Sequence, residues 1–336
     1  MKRDRIVLGH GSGGKLTSEL IREIFLPRFR NPILSSLSDS AVFSHKDIRF
    51  AFTTDSYVVD PIFFPGGDIG RLAIYGTVND LAMSGAQPVF LSAGFILEEG
   101  FLISDLERIA DSMAEAASEC GISLIAGDTK VVPKGKGDKV FINTSGIGIV
   151  PQGMDISPTK VKPGDVIIIN GGIGEHGIAV IAAREELSLS SEIESDLAPL
   201  HRLVSRMLSE TKRINALRDL TRGGLGTALA EIARQAKVGM VVEEEKIPVR
   251  DEVKGACELL GFDPLYVANE GKLIAFCPEE EAEGLITAMR KDPKGRDAVI
   301  IGKVVSEHPG RVILRTRVGG ERLVDLLPGE QLPRIC

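Results

Sequence analysis

The chain has 336 residues, of which 43% are hydrophobic and 26% are charged, a balance typical of globular proteins. This length exceeds what one hydrophobic core usually fills, so we expect two domains. The net charge of −7 argues against a nucleic acid partner, and no stretch approaches the ~20 apolar residues of a membrane span.

The N-terminal segment, residues 1–45, begins with a short predicted strand at residues 5–8. A glycine-rich stretch from Gly9 to Lys15 follows, and then a predicted helix at residues 17–25. The stretch matches the G-x-x-x-x-G-K pattern of phosphate-binding loops, but the next residue is Leu16, so the hydroxyl that should bind Mg²⁺ is missing. Its composition suits a lid that contacts phosphate through backbone N–H groups and Lys15, and it suits a simple mobile loop equally well.

In the first predicted domain, residues 46–150, acidic residues stand where apolar elements end or turn. They are Asp55, Asp80 and Asp128, with Asp39 just before the domain. A single aspartate in such a position is usually a turn or cap residue. Several that converge would form a cage of oxygen ligands suited to Mg²⁺, which normally arrives on nucleotide phosphates.

The second predicted domain, residues 151–327, follows a linker rich in proline and glycine at residues 151–164. Residues 172–177 match the G-x-G-x-x-G dinucleotide pattern, but no acid ends a following strand about twenty residues on. Residues 219–226 offer an acid, an arginine and a glycine turn before a helix, which suits an anion site as well as a plain turn. Residues 269–272 fit a hairpin turn.

The tail, residues 328–336, carries two prolines that disfavour helix and central strand. Fully extended, it would reach on the order of 25 Å. It ends on Cys336, whose thiol we interpret as a nucleophile, although a frayed terminus with an incidental cysteine is the alternative. The other cysteines, at 120, 257 and 277, fit apolar positions, and without C-x-x-C spacing the four favour a reducing cytoplasm.

Five motifs together resemble the ATP-binding superfamily of aminoimidazole ribonucleotide synthetase and selenophosphate synthetase. They are residues 53–57 (TTDSY), 76–85 (GTVNDLAMSG), 127–130 (GDTK), 219–224 (DLTRGG) and 268–272 (ANEGK). With the ending PRIC at residues 333–336, the chain is similar to the HypE family of hydrogenase maturation proteins. Selenophosphate synthetases would require cysteine or selenocysteine in the glycine-rich stretch, which has neither.

The resemblance implies an N-terminal α+β domain whose sheet forms a homodimer, a C-terminal α/β domain and a flexible tail. It also implies a reaction sequence. A carbamoyltransferase, HypF, places a carbamoyl group on Cys336, and ATP drives its dehydration to a thiocyanate. The cyano group then passes to iron held by a HypC–HypD complex, for [NiFe]-hydrogenase.

The same resemblance implies roles for individual residues. The metal ligands would be Asp39, Asp80 and Asp219, and the nucleotide contacts Lys15, Asp55, Asp80, Gly127, Asp128 and Thr129. Beside the thiol of Cys336, Lys130 would stabilise charge and Glu270 would remove protons. Because Arg334 should lower the pKa of the thiol and its own carboxylate should raise it, we expect docking of the tail to activate the thiol.

Two other functions remain open. In one, the chain is a synthetase or kinase of the same superfamily that phosphorylates a free small molecule, and the tail is passive. In the other, it is a non-catalytic carrier that only presents the thiol to partners. The recurring acids argue against a pure carrier, and Cys336 argues against an enzyme for a free substrate.

Overall fold

The computed structural model describes residues 5–29, 31–185, 193–327, 332 and 334–336. Most of the predicted tail, residues 328–331 and 333, therefore lies outside the described residues, as do residues 1–4 of the N-terminal segment. Residues 5–8 form no strand; Leu8–His10 make a single 3₁₀ turn instead. The helical stretch behind it comprises α1 (Lys15–Leu20), a wider turn at Ile21–Phe25 and α2 (Leu26–Phe29).

The first domain is built on a five-stranded sheet covered on one face by two helices. Its elements are β1 (Ala41–His45), β2 (Ile48–Tyr57), β3 (Phe63–Phe64), β4 (Gly67–Asp68), α3 (Ile69–Met83), β5 (Gln87–Glu98), α4 (Ile103–Cys120), β6 (Ser123–Val132) and β7 (Val140–Val150). The strand order is β1-β2-β7-β5-β6, and only β5 and β6 run parallel. Since β1 pairs along β2, the domain has to begin before the predicted boundary at residue 46.

Helix α3 is apolar on all sides and lies between the two domains. Asp68 caps its N-terminus by accepting bonds from the backbone N–H groups of Gly70 and Arg71. Its core-facing side packs on β2 and β7, and its other side contacts the second domain. There the Asn79 amide donates to the carbonyl of Ala198 and accepts from the N–H of Leu200. These buried bonds fix the two domains against each other.

The second domain holds a seven-stranded sheet with helices on both faces. Its elements are β8 (Asp165–Ile169), α5 (Glu175–Arg184), α6 (His201–Glu210), β9 (Ala216–Asp219), α7 (Gly224–Ala236), β10 (Gly239–Glu243), α8 (Asp251–Leu260), β11 (Leu273–Pro278), α9 (Ala282–Met289), β12 (Val299–Val305), β13 (Val312–Arg315) and β14 (Glu321–Val324). The strand order is β14-β13-β10-β12-β8-β11-β9. All neighbours pair antiparallel except β10 with β13.

The predicted two-domain architecture of mixed strands and helices is confirmed, and the second sheet is largely antiparallel although helices and strands alternate in sequence. Among the described residues, no helix is long and apolar enough to cross a bilayer. The described end of the tail is not free in solvent. Leu332, Ile335 and Cys336 are buried in a cluster that joins the first domain to α5 and α8.

Candidate functional site

A cavity of about 1020 Å³ lies where the two domains, the N-terminal segment and the tail meet. Each contributes part of the wall. The polar and charged residues of the lining include Asp39, Thr53, Asp55, Tyr57, Asp80, Arg218, Asp219, Arg222, Glu270 and Cys336. The cavity is large enough for a nucleotide-sized ligand.

Three carboxylates converge in this cavity from distant parts of the chain. Asp39 precedes β1, Asp80 lies near the end of α3, and Asp219 ends β9. One carboxylate oxygen from each lies within 4.8 Å of the others. Such a set of oxygens is the kind of ligand group that Mg²⁺ prefers.

The three carboxylates carry more negative charge than their surroundings stabilise. Burial, followed by repulsion from Asp219, raises the pKa of Asp80 well above its ordinary value, although the Thr53 hydroxyl donates to it at 2.8 Å. Burial and Asp39 raise the pKa of Asp219 to about 7. Burial and neighbouring carboxylates disfavour the charged forms, so a bound divalent cation would stabilise them. The donor set therefore fits a Mg²⁺ ion.

Arg218 supplies the buried counter-charge on one side of this cluster. Its guanidinium contacts Asp39 at 2.8 Å and Glu231 at 2.9 Å. Burial raises the pKa of Asp39, and Arg218 opposes that rise. Arg218 thus holds Asp39 in place, whereas the negative charges of Asp80 and Asp219 are less well balanced by positive charge.

The end of the tail docks beside this cluster, against the residues that follow β2. The N–H of Val58 donates to the main-chain oxygen of Cys336 at 3.0 Å, and the N–H of Asp60 donates to the carbonyl oxygen of Arg334 at 3.2 Å. The tail therefore forms part of the cavity wall, and Cys336 is only 9% exposed.

Docking does not activate the thiol, so this expectation from the sequence was wrong. Burial is the largest influence and raises the pKa of Cys336 far above its ordinary value, while Arg222 opposes it and Glu270 adds to it. Arg334 cannot lower this pKa as predicted, because its guanidinium pairs with Asp138. Docking therefore favours the neutral thiol over the more nucleophilic thiolate.

Glu270 lies in the same wall, 3% exposed. Its backbone N–H donates to Asp196, and its Oε1 has no hydrogen-bond partner among the described residues. Burial, followed by repulsion from Asp219, raises its pKa well above the ordinary value. A carboxylate with a raised pKa is a stronger base, so this side chain can accept a proton from a group bound in the cavity.

The remaining residues implied by the resemblance do not line the cavity. Lys15 is exposed at the start of α1. Gly127, Asp128, Thr129 and Lys130 lie on β6, and Asp128 and Lys130 pair with each other at 2.7 Å in solvent. Strand β6 is three strand positions from β2, which puts Gly127 about 14 Å from Asp55.

Arg222 is the main charged residue of the cavity that the sequence prediction left without a role. Its guanidinium lies 3.8 Å from Asp55 and 3.3 Å from the carbonyl of Gly11. Arg222 lines the same cavity as Cys336, which is the largest influence in raising the pKa of this arginine. The DLTRGG motif had marked Arg222 as part of an anion site, so the signal was present.

Two family models match successive parts of the chain. The AIR synthase related protein N-terminal domain matches residues 37–150, and the corresponding C-terminal domain matches residues 162–315. A carbamoyl dehydratase HypE from Azotobacter vinelandii is 53% identical over 336 residues, which are 100% of this chain and 98% of the relative. This chain belongs to the HypE family.

Solved HypE structures share the fold described above. The HypE of a HypE–HypF complex is 47% identical, with a TM-score of 0.87 over 92% of this chain and 99% of that one. A hydrogenase maturation protein HypE in complex with ATP is 48% identical, with a TM-score of 0.84 over 99% of this chain and 100% of that one. The resemblance drawn from the five motifs is confirmed at the level of the family.

Proposed function

We propose that this protein is an ATP-dependent carbamoyl dehydratase. It converts a carbamoyl group carried on the Cys336 thiol into a thiocyanate, which supplies the cyano ligand for the iron of [NiFe]-hydrogenase. The observation that carries the proposal is that the thiol lines the same cavity as the three carboxylates and Glu270. A residue of the chain occupies the place that a free substrate would take.

The reaction balances without any redox step. The carbonyl oxygen of the S-carbamoyl group takes the γ-phosphoryl group of ATP and then leaves as phosphate, while the nitrogen loses its two protons. The products are the S–C≡N group, ADP, phosphate and a proton. The protein loses the mass of one water, and phosphorylation supplies the leaving group that the thiocarbamate oxygen lacks.

The chain's own residues supply position, charge and a base. Asp39, Asp80 and Asp219 would hold Mg²⁺, which when bound neutralises charge on the transferring phosphoryl group. Arg222 brings a positive charge into the cavity that the thiol lines. Glu270, buried and with a raised pKa, accepts a proton from the amide nitrogen.

A homodimer would complete the nucleotide site. The outer edge of β6 pairs with no other described strand, and apolar side chains stand exposed on it, Ile125 by 63% and Val131 by 66%. Edges of this kind are normally covered. In our proposal two copies pair through this sheet, so that Gly127–Thr129 and Lys130 of one chain face the cavity of the other, and Lys15 covers the phosphates.

Two protein partners follow from the same proposal. A carbamoyltransferase of the HypF kind loads Cys336, in keeping with the HypE–HypF complex of a relative, and a HypC–HypD complex receives the cyano group. All these steps would take place in the cytoplasm, where the four cysteines, which form no disulfide, stay reduced.

Intact-mass spectrometry of the carbamoylated protein tests the function. We expect Mg²⁺ and ATP to remove the mass of one water from the wild type, with one ADP formed per loaded chain. Asp80→Asn should be carbamoylated but lose water at least 100-fold more slowly, because the cluster loses a ligand for the Mg²⁺ that neutralises the phosphates. Asp111→Asn, an exposed aspartate on α4, is the matched control and should behave as the wild type.

Two results would contradict the proposal. If the loaded wild type consumes no ATP, the chain is a carrier rather than an enzyme. If a chain without residues 335–336 still turns over ATP on a free small molecule, the tail is passive and the chain is a synthetase or kinase.

A further inference from the structure

The docked tail is held from two sides. On one side, the backbone N–H groups of Val58 and Asp60, just after β2, donate to the main-chain oxygens of Cys336 and Arg334. The carbonyl of Ile335, which lies between them, bonds instead to a side chain of helix α5. On this second side Nε2 of His176 lies 2.8 Å from the Ile335 oxygen.

The hydrogen bonds around His176 fix which ring nitrogen carries the proton. The carbonyl oxygen of Ile335 can only accept, so Nε2 of His176 is the donor. The other nitrogen, Nδ1, lies 2.7 Å from the hydroxyl oxygen of Ser195, which itself accepts from the N–H of Leu197 at 3.1 Å. Because burial lowers the pKa of His176, the neutral imidazole is favoured, and in that form Nδ1 accepts from the Ser195 hydroxyl while the Nε2–H is aimed at the tail.

The surroundings of His176 support the same assignment. The side chain is fully buried at the start of α5, and the ring of Phe64 packs edge-on against it at 5.4 Å between centroids. Burial lowers the pKa of His176 below its ordinary value, opposed by Asp196 and by the bond to Ile335. No step of the proposed reaction uses this imidazole. The hydrogen-bond partner of its Nε2–H group is the tail.

We propose that His176, oriented by Ser195, is a positioning residue that holds the docked tail and sets the position of the Cys336 thiol in the cavity. The inference rests on the proposed function. With the carbonyls of both Ile335 and Cys336 held, the peptide unit between them is fixed and the group on sulfur can move only about the side-chain bonds of Cys336. Dehydration needs that group within reach of Glu270 and ATP, whereas carbamoylation by a partner needs the tail released.

The experiment measures tail docking directly, without ATP. Iodoacetamide reacts with Cys336 only when the tail leaves the cavity, and peptide mass spectrometry separates this site from Cys120, Cys257 and Cys277. We expect His176→Leu to raise the alkylation rate of Cys336 about tenfold, which corresponds to ~1.4 kcal/mol, the scale of one buried hydrogen bond. His176→Gln, whose amide can still donate to Ile335, should recover most of the protection.

The same variants test the link to chemistry. Loaded with carbamoyl, His176→Leu should lose water about tenfold more slowly than the wild type. Carbamoylation, which needs the released tail, should be no slower than in the wild type, and the Kd for ATP should stay unchanged. His201→Gln, which removes a second partly buried imidazole beside Glu119 and Asp292, is the control and should leave both rates unchanged.

Unchanged alkylation of Cys336 in His176→Leu, with a melting temperature close to that of the wild type, would overturn the proposal that His176 holds the tail. So would equal alkylation in the Leu and Gln variants, since that would mean a packing effect and not a hydrogen bond. If the wild type loses no water on adding ATP, the proposed function fails, and the alkylation rates still decide whether His176 holds the tail.

Discussion

At the scale of single residues, the sequence identified the candidate acidic residues of the site but not which groups surround them in the fold. Asp80 could be singled out because an acid inside an apolar helix needs a reason, and Asp219 because it precedes a glycine turn. Their convergence depends on packing between the two domains, which no local pattern contains. The state of Cys336 was predicted wrongly for the same reason, because burial outweighs the charges of sequence neighbours.

The raised pKa of Asp219 has a consequence for stability. Its folded pKa of about 7 lies above the ordinary value of 3.8, so the fold favours the neutral carboxyl. The associated stability is fully present below about pH 4 and is lost as pH rises through about 7. Mg²⁺ binds the charged carboxylates, so it should offset this loss.

We therefore predict that the metal-free wild type loses stability between pH 5 and pH 8 relative to Asp219→Asn, which has no proton to lose there. Between pH 5 and pH 8, the change in melting temperature of the wild type should differ from that of Asp219→Asn by more than about 2 to 4 °C. This difference corresponds to ~1 kcal/mol for a protein of several hundred residues. Thermal melts of both proteins at several pH values, with and without Mg²⁺, measure it. Parallel pH curves for the two metal-free proteins would refute the prediction.

At the scale of helices and strands, segments with a continuous apolar pattern were predicted well, and strands at the edge of a sheet were predicted poorly. The helical spacing of Ile69, Leu72, Ala73 and Gly76 predicts a helix at residues 68–84, and α3 spans Ile69–Met83. Residues 127–130 were predicted to follow a strand, yet β6 runs through them to Val132. An edge strand pairs on one side only and tolerates glycine and charged residues, so its composition resembles a turn.

The exposed edge of β6 gives a prediction about assembly. Val131→Asp puts a charge on the surface that we propose pairs with a second copy, so it should shift the protein towards monomer by at least tenfold in Kd and reduce dehydration with it. Light scattering over a concentration series measures the assembly. Val318→Asp, at a valine that is 94% exposed in the turn between β13 and β14, should change neither property. Equal behaviour of the two variants would exclude β6 from the interface.

At the scale of the whole molecule, length and composition predicted two domains, and the structure has two sheets, with one hydrophobic cluster that spans both domains. The position of the cavity between them could be expected only through the resemblance to a known superfamily. Docking of the tail was expected, but its resting position could not be predicted. Its proline pattern suggested an arm, while the contacts that hold it come from Val58, His176 and Arg184, far away in sequence.

Because the tail docks into the body of its own chain, enzyme and substrate share one covalent molecule. The reaction is then of first order in loaded protein, and a Michaelis constant exists for ATP but not for the carbamoyl group. We expect the half-life of the carbamoyl form to stay constant on tenfold dilution at saturating ATP, over a range where light scattering shows an unchanged assembly state. A half-life that lengthens on dilution would mean that separate molecules process one another's tails.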